Sequence, residues 1–67
     1  MNKKKVLKNI CLEYVEANDV KVEGEELFVL VPSKYAGDLI MKLEQKGCKL
    51  QFSKKKHFLL LICFLIP

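Results

Sequence analysis

Residues Phe58 to Ile66, FLLLICFLI, are nine consecutive apolar residues that follow Lys54, Lys55, Lys56 and His57 and precede Pro67. No other stretch restricts the fold as strongly. A membrane-spanning helix needs about twenty apolar residues, so this run is too short to be one. Phe and Ile among the leucines, directly after a lysine-rich turn, favour a strand. A strand that is apolar at every position needs cover on both faces and belongs in the middle of a sheet. At about 3.3 Å per residue it would be the longest strand of the fold.

The remainder of the chain supplies neighbours for it. From Lys3 to Ala17, apolar residues at positions 6, 7, 10, 11, 14 and 15 oppose Lys8, Asn9, Glu13 and Glu16, which is helical spacing stopped by Asn18 and Asp19. Val20 and Val22 alternate with Lys21 and Glu23 as a half-buried strand. Gly24-Glu25 fits a two-residue hairpin loop, and Leu27 to Val31 returns as an unbroken apolar strand. With Glu23 opposite Glu26, Val22 meets Leu27 and Val20 meets Val29, while Phe28 and Leu30 point the other way.

Pro32 ends that strand and Ser33 is suited to cap a second helix, with Tyr35, Ala36, Leu39, Ile40 and Leu43 as its apolar stripe and Gly47 as its stop. CKLQFS then alternates, with Cys48, Leu50 and Phe52 inward. Each half thus runs helix, alternating strand, charged turn, apolar strand and proline. The shared identities are too few to establish duplication.

Strands that alternate tolerate the edges of a sheet, whereas fully apolar strands require its centre. The expected fold class is therefore α+β: a two-layer αββαββ sandwich with an antiparallel four-stranded sheet of order 3-4-2-1 and both helices on one face. It resembles a circular permutation of the ferredoxin-like sandwich, a likeness of architecture that carries no function. Sixty-seven residues are expected to form a single domain, 1–67, that buries only about 60% of its unfolded surface.

The sheet face opposite the helices would then show Lys21, Glu23, Lys49, Gln51 and Ser53 at its rims and large apolar side chains at its centre. A two-residue loop before the last strand exposes Phe58, Leu60, Ile62 and Phe64; a three-residue loop exposes Leu59, Leu61, Cys63 and Leu65 instead. Either set joins Phe28 and Leu30 in an apolar stripe with a polar border, the mark of an interface. The interface residues expected are Phe28, Leu30, Phe58, Leu60, Ile62 and Phe64. The partner expected is a protein, either a second copy in a homodimer or a larger protein.

A second reading comes from the charge balance. The formal net charge is +4, carried by twelve lysines without arginine. Lysine holds a phosphate as a point charge but lacks the planar fork of arginine. In this alternative a small basic protein stacks RNA or single-stranded DNA on sheet-face aromatics, with Lys21, Lys49, Lys54, Lys55 and Lys56 against phosphates. The aliphatic character of the stripe favours the protein partner.

Catalytic and cofactor chemistry lacks its residues. His57 is the only histidine and lies beside lysines in a turn. Glu23, Glu25 and Glu26 crowd a hairpin but supply too few oxygens for a hard cation. Cys11, Cys48 and Cys63 match no C-x-x-C spacing and cannot all pair within one chain, so no metal is expected and reduced, buried thiols are. Gly24, Gly37 and Gly47 are isolated, so no glycine loop cradles a phosphate. The expectation is a non-enzymatic, cytoplasmic protein without cofactor, and the start of the chain shows no uninterrupted apolar stretch of a secretory signal.

Overall fold

The computed structural model of the chain describes residues 3–65. Helix α1 spans Lys3–Cys11, strand β1 Val20–Glu23, β2 Glu26–Pro32, helix α2 Ser33–Gln45, β3 Lys49–Lys55 and β4 Phe58–Phe64. A short 3-10 turn, Ala17–Asp19, leads into β1. The strands form one antiparallel sheet of order β1-β2-β4-β3. This is the 3-4-2-1 order expected from which strands alternate, in an α+β arrangement consistent with a ferredoxin-like sandwich.

The first hairpin has the register set by Glu23 opposite Glu26, with Val22 facing Leu27 and Val20 facing Val29. Gly24 takes a φ of +58° in its loop. In the second hairpin Lys55 pairs with Phe58, so the loop is the two residues Lys56 and His57, and Lys56 takes a φ of +53°. The two central strands pair from Glu26 opposite Phe64 to Pro32 opposite Phe58.

The core lies between the sheet and the helices. Leu27, Val29 and Val31 of β2 and Leu61 and Cys63 of β4 are wholly buried against Leu7 and Cys11 of α1 and Leu39 and Leu43 of α2. Val20, Ala36, Cys48 and Leu65 complete it, and no polar or charged residue is buried among the described residues. Period two on the strands and roughly 3.6 on the helices therefore deliver their apolar positions to one shared layer.

Several local expectations are corrected. Helix α1 ends at Cys11 rather than near Ala17, because its last turn tightens: Glu13 N–H donates to Ile10 O at 3.2 Å and Tyr14 N–H to Cys11 O at 2.9 Å. Ser33 is the first helical residue and not the cap; Pro32 flanks the helix, and the Ser33 N–H is satisfied by the carbonyl of His57 at 2.9 Å. Tyr35 lies at the margin of the α2 stripe, 44% exposed. Phe52 sits on the helix side of the sheet, opposite buried Leu61, yet it is 66% exposed. The helices cover the Cys48–Leu50 end of this edge strand and stop short of Phe52. Val22, at the other edge, is left open in the same way. Strand β4 equals β2 and β3 in length at seven residues and is not longer; Ile66 lies outside the described residues. Gly47, with a φ of +81°, ends α2 where expected.

Candidate functional site: the open face of the sheet

The two-residue loop of the second hairpin decides which side of β4 faces outward. Successive strand residues point to opposite faces, so burying Leu61, Cys63 and Leu65 turns Phe58, Leu60, Ile62 and Phe64 away from the helices. Phe28 and Leu30 of β2 share that side, since Phe28 pairs with Ile62 and Leu30 with Leu60. All six expected interface residues are thus brought to one surface. Phe58 is exposed and the other five are half-buried by their neighbours in the sheet.

The register arranges this surface in rows across the strands. One row reads Glu23, Glu26, Phe64 and Lys49; the next reads Lys21, Phe28, Ile62 and Gln51. Below these come Leu30, Leu60 and Ser53, then Pro32, Phe58 and Lys55. Every row is apolar in the middle, except that Glu26 intrudes at one corner, and polar at the β3 edge. Lys21 and Glu23 form an exposed ion pair at 2.9 Å along the β1 rim, an arrangement that adds little stability in water. Glu26 and Pro32, at the two ends of β2, belong to the face although the apolar pattern did not single them out; alternation counted from Phe28 and Leu30 places both there.

The five lysines of the nucleic-acid reading are not brought together. Lys21 lies on the β1 rim of the open face, and Lys49 and Lys55 on its β3 rim. Lys54 pairs with Leu59 and so faces the helix side, and Lys56 is in the loop. Lys54, Lys56 and His57 instead line a cavity of about 470 Å³ with Ser33, Lys34 and Phe58 at the start of α2.

The thiols gather in the core. Cys11, Cys48 and Cys63 are all unpaired and buried. Burial, and then the nearby Cys48, push the Cys11 thiol up to about 11. Cys63 is raised further, first by burial and then by Cys48 and Cys11. Thiols held neutral in this way are weak nucleophiles. On the outer surface Lys42 of α2 reaches Glu13 at 3.1 Å and lies 5.1 Å from the centre of the Tyr14 ring. Tyr14, then Glu13, push its ammonium up to about 12. That contact ties α2 to the turn after α1 and is remote from the open face.

Among the described residues no group of three or more His, Cys, Asp or Glu side chains is placed to hold a metal ion, and no helix is long and apolar enough to cross a membrane. Comparison with protein-family models, with curated proteins and with solved structures finds no match to this chain.

Proposed function

We propose that this chain is a small non-enzymatic interaction module that binds another protein surface through the open face of its sheet. The observation that carries the reading is the row pattern: six large apolar side chains in the two central strands, turned away from the helices, between rims of Lys, Glu, Gln and Ser. An apolar centre with a polar border is the anatomy of a protein interface. The three unpaired, buried thiols support a reducing compartment such as the cytoplasm.

The alternative, RNA or single-stranded DNA on the same face, has one observation in its favour, since Phe28, Phe58 and Phe64 all lie on it. Their spacing works against it. Phe58 and Phe64 are six residues apart on one strand, roughly 20 Å, too far for neighbouring bases. Phe28 and Phe64 are diagonal neighbours at about 7–8 Å, and there Glu23 and Glu26 offset the attraction for phosphate of Lys21 and Lys49, which flank the same two rings.

Ile62→Asp tests the reading, because Ile62 is central to the face and absent from the core. Association, with itself or with an isolated partner, should be lost while the far-ultraviolet circular dichroism is retained. Unchanged association in this variant would overturn the proposal.

A further inference from the structure

We infer that the occupant of the open face is a second copy of this chain, packed sheet to sheet about a two-fold axis that runs along the strands. This rests on the reading of that face as an interface and adds the partner and its orientation.

The argument is one of charge and register. A two-fold axis along the strands, lying between two stacked sheets, sets each β1 edge over the partner's β3 edge and keeps every row over the same row. In the first row Glu23 of one copy then meets Lys49 of the other, twice per dimer. The same operation sets Phe28 over Ile62 and Leu30 over Leu60. These two pairs become apolar quartets, and in the first row Glu26 falls over the partner's Phe64, next to the partner's Lys49. A symmetric dimer requires such a self-complementary patch.

The other aligned face-to-face choice, an axis across the strands, inverts the order of the rows. It places Lys49 over the partner's Lys55 on each β3 edge and carries Glu23 beyond the end of the partner's short β1. Like charges at two rim sites disfavour that arrangement. Stacked sheets are rotated by about 30°, an offset that long Glu and Lys side chains at the rim can span.

The size of the face agrees with a weak, reversible dimer. Three strands of seven residues and β1 of four, about 4.8 Å apart and at about 3.3 Å per residue, give on the order of 400 Å² in plan for each copy. Two such faces, with the relief of their side chains, come to roughly the 1,000 Å² at which specific interfaces begin.

The test is sedimentation equilibrium at low ionic strength, from low micromolar to near-millimolar protein. Wild type should dimerise. Glu23→Lys and Lys49→Glu should each weaken the dimer about tenfold, since each turns two attractive contacts repulsive. An equimolar mixture of the two variants should recover the wild-type affinity, because the mixed dimer sets the new lysine against the new glutamate and keeps one native pair. A wild-type monomer at every concentration, single variants that dimerise as wild type does, or a mixture that fails to recover would each overturn the inference. Ile62→Asp separates the two levels. Association lost there but indifferent to the charge variants overturns the two-fold arrangement alone. Association that survives Ile62→Asp overturns the interface as well.

Discussion

Lys56 occupies in the second hairpin the place that Gly24 occupies in the first: each is the first of two loop residues, with φ of +53° and +58° respectively. Glycine enters that left-handed region without steric cost, whereas a lysine there is strained by about 1 kcal/mol or more. Lys56→Gly should therefore leave stability unchanged or raise it by up to about 1 kcal/mol, the relief being partly offset by the entropy glycine adds to the unfolded chain. Gly24→Ala should lower stability by about 1 kcal/mol through backbone strain alone, since no atom beyond its two chain neighbours lies within 4 Å of where its Cβ would stand. Urea denaturation of the two variants checks both signs.

The two sides of the sheet at β3 and β4 should respond differently to truncation. Leu61 is wholly buried, so Leu61→Ala should cost about 2–5 kcal/mol. Phe52, its cross-strand neighbour, is 66% exposed, and Phe52→Ser should change stability by less than about 0.5 kcal/mol. A large loss at Phe52 in the same denaturation experiment would mean that the helices extend over the β3 edge.

Alkaline pH should destabilise the fold in a defined window. The unfolded Cys11 thiol ionises near its ordinary value of 9.0, while the folded one stays neutral until about 11. The unfolded state therefore binds fewer protons between these values, and stability falls as pH rises from 9 toward 11, by on the order of 2 kcal/mol from this group. Cys63, also raised, acts in the same direction. Below pH 9 neither thiol contributes a slope. Denaturant midpoints measured across pH 8 to 11 should show this fall, and Cys11→Ala should make it shallower while leaving the part due to Cys63. Titration of the denatured, unreduced protein should find three free thiols.

Nucleic acid should bind weakly and lose affinity steeply as salt rises, the signature of counterion release without base contacts. Fluorescence anisotropy with short single-stranded RNA and DNA over a salt series measures this. Sequence-selective binding that survives elevated salt and disappears in Phe28→Ala would instead establish the face as a stacking platform.

The sheet order was legible because polarity is distributed unevenly: Lys21 and Glu23 mark β1 as an edge, whereas Leu27 to Val31 and Phe58 onward have no polar side. The pairing of Glu23 with Glu26 also gave the first register. At the second hairpin Lys54, Lys55, Lys56 and His57 carry no alternation, so two loop lengths fit the sequence equally well, and only the pairing of Lys55 with Phe58 fixes the outward side of β4. Phe52 illustrates a different limit. Period two tells which face a side chain takes, but only the length and tilt of the covering helices decide whether that face is covered. Ser33 shows the same locality: its type suits a cap, yet its N–H is met by a carbonyl from His57, a residue far away in sequence.

The central claim is that β4 is an inner strand with one face in the core and the other in an interface, and adjacent residues Leu60 and Leu61 test it most directly. Leu61 is wholly buried opposite Val29, and Leu60 lies on the open face opposite Leu30. Leu61→Asp places an unpaired carboxylate in the core of a 67-residue chain, where that burial costs several kcal/mol against the thin stability margin of so short a fold, and it should not fold. Leu60→Asp should keep its circular dichroism and lose association, with some loss of stability where folding and association are coupled. Circular dichroism and sedimentation on the pair give the answer. One unfolded variant and one folded, non-associating variant is the predicted outcome; two folded variants with unchanged association would contradict it.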